Sequence, residues 1–251
     1  MKITAVKTNP ITANSVTLLQ LLDKYLNLMP EKSVLALTSK VVSLCEGRAI
    51  PSNKVHKIDL VKQESQYYLP SQMSKYGFNF TITNDTFIPG SGIDESNTDG
   101  NYVLWPADVQ KTANQVRAYL KKRFNLKEVG VIITDSTHIP PLRLGALGIF
   151  LAHSGFQAVN DYVGQSDLFG RPFAFSKSGI ASGLAASAVL VMGEGNEQTP
   201  LAVLEDLSFV TFQAADPTPQ ELEARQIPLD DDIFAPFFDA VDWLPGDKLG
   251  K

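Results

Sequence analysis

Cysteine is almost absent from this chain, since only one of its 251 residues, Cys45, is a cysteine. A single cysteine excludes an intramolecular disulfide and any zinc site built from several cysteines. The simplest expectation is therefore a reducing, cytoplasmic setting. The N-terminal stretch 1–10 lacks the long apolar segment that is typical of a signal peptide. The longest run of small apolar residues, 180–192, is too short to span a bilayer, so no membrane partner is expected.

An excess of basic residues and the common catalytic motifs are also missing. The net charge is -5 and the isoelectric point is about 5.2, which argues against a nucleic-acid partner. The sequence has no G-x-x-x-x-G-K-[ST] phosphate loop, and GEGNEQ at 193–198 lacks the third glycine of a dinucleotide fingerprint. It also has no G-x-S-x-G or H-E-x-x-H motif. The signatures of P-loop enzymes, α/β-hydrolases and zinc proteases are therefore absent.

The hydrophobic pattern predicts both strands and helices in a chain long enough for one or two domains. The composition, 44% hydrophobic and 20% charged, is that of a soluble globular protein. Short apolar or alternating runs predict strands at 2–6, 34–37, 78–82, 129–133 and 201–204. Residues 38–40 are expected to continue the second of these strands. Helices are expected at 15–26, 59–69, 109–124 and 178–191, with further helices in the tail after a capping box of Thr218 and Glu221.

Two aspartates stand out because each lies in a setting suited either to a turn or to a ligand site. Asp135 is expected at the end of the strand 129–133, followed by Ser136 and then by a proline-containing loop that reaches Arg143. Asp94 follows two glycines in GSGIDESN, residues 90–97. An aspartate that caps a turn accounts for either residue without any function. Both alternatives remain open at this point.

Acids near glycine-rich turns favour oxygen-ligand chemistry. Asp94, Asp135 and either Asp161 or Asp167 are such acids. Carboxylate oxygens suit magnesium or manganese, which in turn suit phosphates. From this chemistry alone the sequence indicates an enzyme that handles phosphate groups. Two other polar residues have structural explanations: His153 is expected to be a hydrogen-bonded core residue, and Arg171 to pair a local acid.

The order of several motifs gives the chain a family resemblance. Over roughly residues 1–210 the sequence resembles the coenzyme F420-0 gamma-glutamyl ligase family. Residues 211–251 are expected to form a helical extension of the same unit, and residues 1–210 two intertwined subdomains. The motifs that carry the resemblance are Ser39-Lys40 with Glu46-Gly47-Arg48, GIDESN (92–97), VGVIITDS (129–136), GALG (145–148), DYVGQSDLFGR (161–171) and LVMGEGN (190–196) followed by Thr199-Pro200.

The resemblance implies a fold and an activity. The fold would be a two-domain α+β fold with mixed and antiparallel sheets and packed helices, assembled as a homodimer. The activity would be a GTP-dependent ligation of L-glutamate to a deazaflavin acceptor through an amide bond. GTP would phosphorylate the acceptor carboxylate, and the glutamate amine would attack the resulting acyl phosphate. One or two divalent ions, magnesium or manganese, would offset charge on the phosphoryl group.

The resemblance also implies roles for particular residues. By position, Asp94 and Asp135 match catalytic and metal-binding aspartates, and Ser136 stands beside the second of them as a further metal ligand. The residues that match the family's nucleotide site are Thr8, Asn9, Pro10, Ile11, Ser39, Lys40, Asn97, Met192, Gly193, Glu194 and Gly195.

Some positions depart from the family pattern. Leu44 stands where the family usually has a lysine, and the nearest lysine is Lys40. Ser182 and Gly183 stand where it has an acidic pair, and Glu205 stands where it has an arginine. His138 and Ile139 replace a glycine–arginine pair after the second aspartate. These departures favour an alternative, a divergent paralogue that binds a small molecule or nucleotide without ligase activity. A third alternative is a nicotinamide or flavin oxidoreductase.

Overall fold

A computed structural model of the chain describes residues 1–137 and 144–250. The positions His138, Ile139 and Arg143 lie outside the described residues.

The strands are β1 (Lys2–Val6), β2 (Ser33–Thr38), β3 (Ala49–Pro51), β4 (Tyr67–Tyr68), β5 (Phe80–Thr83), β6 (Thr86–Pro89), β7 (Asn101–Val103), β8 (Val129–Thr137), β9 (Leu147–Ser154), β10 (Val159–Asp161), β11 (Lys177–Gly179), β12 (Leu201–Glu205) and β13 (Leu244–Pro245). The helices are α1 (Leu18–Tyr25), α2 (Ser39–Cys45), α3 (Lys57–Glu64), α4 (Val109–Phe124), α5 (Ile180–Met192), α6 (Pro219–Glu223) and α7 (Ala235–Phe238). The prediction of an α+β fold with mixed and antiparallel sheets is confirmed.

A five-stranded sheet of order β1-β12-β2-β8-β9 forms the centre of the fold. Only the β2–β8 pair is parallel, and the other neighbours are antiparallel. Alternate residues of these strands enter two separate cores. Leu35 and Ile133 pack with α1, α2 and α4, while Ala36 and Ile132 pack with α5 on the opposite face. Because both faces are covered, β2 and β8 are continuous apolar runs in the sequence.

A smaller unit is built from the residues between α2 and α4, together with β13 from the tail. Its four-stranded sheet has the order β13-β4-β5-β6, and β3 pairs with β7 beside it. Leu60, Val61, Ile93 and Leu104 form its own small core. A short 3-10 turn, Gly90–Gly92, leads from β6 to Asp94. This unit therefore supplies one of the two singled-out aspartates, and the central sheet supplies the other.

The tail after residue 210 connects both units. Arg117, buried on α4, donates hydrogen bonds to the carbonyls of Gln213 (2.9 Å) and Ala214 (2.7 Å) and pairs with Asp216 at 2.6 Å. Further along, β13 pairs with β4 and completes the smaller sheet. The tail contains only the two short helices α6 and α7 within the described residues. The division of the chain at residue 210 stays a prediction.

His153 lies in the core, as expected. It is 3% exposed, and its Nδ1 atom lies 3.0 Å from the Arg225 guanidinium. The pKa of His153 is lowered to about 4, chiefly by desolvation and also by the positive charge of Arg225.

Several predicted boundaries are wrong for reasons of pairing and capping. Residues 38–40 do not continue the strand, because the Thr38 side chain accepts a hydrogen bond from Val41 N (3.3 Å) and starts α2. The helix predicted at 59–69 ends at Glu64, since Tyr67–Tyr68 pair with β5. The strand predicted at 129–133 continues to Thr137 because β9 pairs with it. Asp135 is therefore inside a strand rather than at its end.

Candidate functional site

One cavity of about 510 Å³ opens beyond one end of the strands of the central sheet. The strand register explains its position. Val6 pairs with Leu201, Leu201 with Leu37, and Leu37 with Ile133. These four residues form one row across the sheet, so the segments that follow β1, β2 and β8 and precede β12 all meet beyond it.

The strand ends on this side of the sheet bring together the residues that were predicted to bind the metal and the nucleotide. Each of them contributes to the cavity lining, although they come from five separate parts of the sequence. The lining includes Thr8, Asn9, Pro10, Ile11, Ser39, Lys40, Asp94, Asn97, Asp135, Ser136, Met192, Gly193, Glu194 and Gly195.

Asp135 is held in the cavity wall by hydrogen-bond donors on two sides. The Trp105 indole N–H donates to its Oδ2 atom, and the backbone N–H of Ser136 donates to Oδ1 at 2.8 Å. The pKa of Asp135 is raised to about 6, chiefly by desolvation and also by the negative charge of Asp94. The donors from Trp105, Ser136 and the Ser39 hydroxyl act in the opposite direction. The site thus holds a carboxylate that takes up a proton far more readily than an exposed aspartate.

Asp94 is held by a lysine and a serine. Lys40 Nζ lies 2.7 Å from its Oδ2 atom, and Ser96 donates to Oδ1 from its backbone N–H (2.7 Å) and its hydroxyl (2.8 Å). Burial acts to raise the pKa of Asp94, but the Lys40 ammonium and the Ser96 donors hold it below the ordinary value. Asp94 therefore stays ionised at lower pH than Asp135, which takes up a proton as the pH falls through about 6.

The glycine-bearing loop 193–200 closes one side of the cavity. Asn97 Nδ2 donates to the carbonyl of Gly195 at 3.0 Å, and the Ser136 hydroxyl donates to Glu194 Oε2 at 2.9 Å. At the far end of the loop, Thr8 N donates to the carbonyl of Gln198 at 2.8 Å. This loop therefore connects the central sheet, the smaller unit and the segment after β1.

Two of the predicted acids do not belong to this cavity. Asp161 pairs with Lys177 at 3.3 Å in the β10–β11 hairpin, and Asp167 accepts hydrogen bonds from the backbone N–H groups of Phe169 and Arg171. These contacts are those of turn residues. The contact of Arg171 with a local acid is thus made by its backbone N–H group, which donates to Asp167.

Sequence reasoning missed other parts of the site. Glu197 lines the cavity without belonging to a recognisable motif, whereas Ser96 and Thr199 line it from motifs in which neither was predicted to be a site residue. Trp105 was also missed as a partner of Asp135. One signal was available, since a tryptophan buried in a core needs an acceptor for its indole N–H.

Comparison with known proteins identifies the family. The model of the F420-0:Gamma-glutamyl ligase family matches residues 10–206. The chain belongs to this family. It is 34% identical over 205 residues to a protein of Methanococcus maripaludis strain C7 named coenzyme F420:L-glutamate ligase, covering 76% of this chain and 81% of that protein. Proteins of the same name from Methanocaldococcus jannaschii and Archaeoglobus fulgidus are 33% and 32% identical; the matches cover 68% and 70% of this chain, and 74% and 76% of those proteins.

The positions that depart from the family pattern are distributed unevenly around this cavity. Leu44 lines it, one helical turn after Lys40 on the same face of α2. Ser182 and Gly183 are exposed on the first turn of α5, whereas Met192 reaches the cavity at the last turn. With a rise of about 1.5 Å per residue, the two ends are roughly 15 Å apart. Among the departing positions that the structure describes, Leu44 is the one that lines the cavity.

Glu205 also lies away from the cavity of this family member. It ends β12, at the opposite end of the strand from Pro200, and pairs with Lys2 at 2.9 Å. Its side chain therefore has a structural partner of its own.

The donor set of the cavity fits a divalent ion that shares its coordination with phosphate. Two carboxylates, Asp94 and Asp135, face the cavity with the hydroxyls of Ser39 and Ser136. Among the described residues no group of three or more His, Cys, Asp or Glu side chains is arranged to hold a metal. Magnesium commonly takes one or two carboxylates and completes its shell with water and substrate phosphates. The negative charge of Asp94 also raises the pKa of Asp135, an effect that a bound cation would relieve.

Proposed function

We propose that this family member is a GTP-dependent ligase that forms an amide bond between L-glutamate and a phosphorylated deazaflavin acceptor of the coenzyme F420-0 type. The observation that supports it best is the meeting of Asp94, Asp135 and Lys40 around one cavity. Family membership favours this activity over the oxidoreductase alternative.

The proposed reaction has two steps. A carboxylate oxygen of the acceptor attacks the γ-phosphorus of GTP, and the bond to the GDP oxygen breaks. The amine nitrogen of glutamate then attacks the carbonyl carbon of the acyl phosphate. Inorganic phosphate leaves with the electron pair of the C–O bond, and the nitrogen loses a proton. Enzymes accelerate phosphoryl transfer mainly by positioning the groups and stabilising their charge.

Asp94, Asp135 and Ser136 are the residues proposed to hold magnesium or manganese, at one or two positions. A divalent ion bound there offsets charge on the transferring phosphoryl group. Lys40 is the only lysine or arginine among the described residues that line the cavity. Its ammonium group has three donors, so it can contact a phosphate oxygen while it remains beside Asp94.

The nucleotide is proposed to lie between the segment after β1, the start of α2 and the glycine-bearing loop. The residues assigned to it are Thr8, Asn9, Pro10, Ile11, Ser39, Lys40, Asn97, Met192, Gly193, Glu194 and Gly195. The cavity volume of about 510 Å³ is in the usual range of small-molecule sites. Backbone N–H groups of a glycine-bearing loop can approach phosphates closely because no Cβ intervenes.

The setting proposed for the enzyme is the cytoplasm, and its proposed assembly is the homodimer that the family resemblance implies. Among the described residues, no helix has the length and apolar character needed to cross a membrane. The acidic net charge of -5 supports small molecules rather than nucleic acids as partners.

Calorimetric titration of GTP, first with Mn²⁺ and then after its removal, tests the proposed site. Metal-dependent binding is expected. Incubation with F420-0, L-glutamate and GTP, followed by mass spectrometry of the product, tests the ligation itself. Exposed Asp161, outside the cavity, provides a control: Asp161→Asn should leave both results unchanged.

A binding-only relative is a second candidate because Leu44 removes a cation from the cavity wall. It predicts GTP binding without formation of GDP or of the glutamylated product. Tight GTP binding together with no turnover on any acceptor carboxylate would therefore favour this candidate over the ligase.

A further inference from the structure

Trp105 lies directly behind the two cavity aspartates. Its side chain is 3% exposed, and it is not part of the cavity lining. Its indole N–H donates to Asp135 Oδ2. Because an indole can only donate, this contact orients the carboxylate and takes up one side of one oxygen.

The same short segment also holds Asp94. Val103, two residues before Trp105, exchanges backbone hydrogen bonds with Asp94 in both directions, at 3.0 Å and 2.9 Å. The segment 103–105 therefore binds the backbone of one aspartate and the side chain of the other. This is a direct connection between the smaller unit and β8.

The indole ring packs directly against the turn before Asp94. Gly92 has φ +67°, and a Cβ atom there would collide with Cε2 and Nε1 of Trp105. A glycine at position 92 thus satisfies both the positive φ and the close approach of the ring.

A buried ionic network fixes the backbone of Trp105. Arg48 Nε donates to the Trp105 carbonyl at 3.1 Å, and Arg48 Nη2 pairs with buried Glu64 at 2.9 Å. Lys248 from the tail pairs with the same Glu64 oxygen at 2.7 Å. Trp105 is therefore held at its indole N–H by Asp135 and at its carbonyl by Arg48.

We propose that Trp105 is a positioning residue that sets the separation and orientation of Asp94 and Asp135 for a divalent ion bearing a nucleotide phosphate. This inference rests on the proposed function, since it assigns the two carboxylates to a metal. Groups that orient metal ligands typically change metal affinity by about 10–100-fold when they are mutated.

The chain supplies a matched control in its only other tryptophan. Trp243 donates its indole N–H to the carbonyl of Phe238 at 2.9 Å, in an aromatic cluster with Phe87. Trp105→Phe and Trp243→Phe each remove one indole donor and keep an aromatic ring. Mn²⁺ affinity measured by calorimetry in the presence of GTP should fall about tenfold or more in Trp105→Phe and stay unchanged in Trp243→Phe.

A second measurement leaves Trp105 intact. In Trp243→Phe, Trp105 is the sole tryptophan, and Mn²⁺ with GTP should quench its fluorescence. The spin-paired Mg²⁺ serves as a control for quenching by the paramagnetic ion. In Trp105→Phe the remaining fluorescence, from Trp243, should not respond.

The outcomes separate the two proposals. If the wild-type protein does not bind Mn²⁺ with GTP, the metal assignment and this inference both fail. If it does bind, unchanged Mn²⁺ affinity in Trp105→Phe or unaltered Trp105 fluorescence would overturn the positioning role alone. Reduced affinity confined to Trp105→Phe, together with quenching of Trp105, supports it.

Discussion

Lys40 of α2 and Asp94 of the smaller unit form an ion pair of 2.7 Å across the cavity. The same ammonium group donates to the Ser96 carbonyl at 3.1 Å. The pair therefore joins the edge of the central sheet to the turn that carries Asp94. It also balances one acid in a cavity whose lining includes Asp135, Glu194 and Glu197 as further acids.

Replacing Lys40 by methionine should weaken GTP binding, because the described cavity lining would then contain acidic side chains and no basic one to offset the charge of the phosphates. Hydrogen bonds to charged groups contribute about 1.5–3 kcal/mol, which corresponds to a loss of roughly 10–100-fold in affinity. Calorimetric titration of GTP measures this loss of affinity. Lys57→Met is the matched control, since Lys57 pairs with Glu95 next to Asp94 but does not line the cavity. Equal losses in the two variants would indicate a general charge effect and contradict the role of Lys40.

Asp94→Asn and Asp135→Asn should each lower turnover strongly while the fold persists. Loss of one stabilising group in a transition state costs about 2.7–4 kcal/mol, or roughly 10²–10³ in rate. The raised pKa of Asp135 means that its charge is unfavourable in the folded state, so a neutral Asn there should leave the melting temperature unchanged or higher. Kinetics of product formation and thermal unfolding check both parts. Turnover retained by either variant would remove that residue from the assignment.

Mn²⁺ binding should depend on pH through Asp135. Its pKa of about 6 means that, below this value, the carboxyl carries a proton that the metal must displace. Affinity should therefore fall as pH decreases through about 6, by up to about tenfold per pH unit while one proton is released. Calorimetry in buffers of different ionisation enthalpy counts the released protons. An affinity independent of pH in this range would be inconsistent with Asp135 as a ligand.

His153 should make stability sensitive to mild acid. Its pKa is about 4 in the folded protein and about 6.5 when exposed, so the unfolded chain binds a proton first as pH falls. The contribution of neutral His153 is fully present above about pH 6.5 and is lost progressively down to about pH 4. Between about pH 7.5 and about pH 5.5 the loss should be roughly 1.5 kcal/mol. Urea unfolding of His153→Gln should show a pH dependence smaller by this amount, and an identical dependence would refute the assignment.

Arg117→Met should destabilise the protein because four acceptors lose their donor. The guanidinium group donates to the Val129, Gln213 and Ala214 carbonyls as well as to Asp216, and the residue is 4% exposed. The expected cost is about 2–3 kcal/mol, reduced from the value for a fully buried pair because Asp216 is partly exposed. Denaturant unfolding measures this decrease in the free energy of unfolding. Exposed Lys122→Met on the same helix should stay within about 0.5 kcal/mol.

The amino-acid sequence determined the main elements of the central sheet. β1, β2 and β12 are short apolar runs, and α4 begins at Val109 and ends at Phe124, as the spacing predicts. Such elements are visible locally because burial on one or both faces imposes a pattern on consecutive residues. The sequence also indicated Asp94 and Asp135, together with Asp161 or Asp167, as acids near glycine-rich turns.

The tertiary structure decided which of these acids lies in the cavity and how its surroundings change its pKa. Asp135 and Asp161 have similar local surroundings of turn-forming residues, but only Asp135 lies at the edge where β1, β2, β8 and β12 meet. Desolvation and the negative charge of Asp94 raise its pKa, whereas the indole N–H of Trp105 opposes that rise, and both residues are distant in sequence. Long-range pairing likewise extended β8 beyond Ile133 and placed the acidic-pair positions, Ser182 and Gly183, away from the cavity. Local patterns carry no information on such contacts, because burial and charge depend on which segments the strand register brings together.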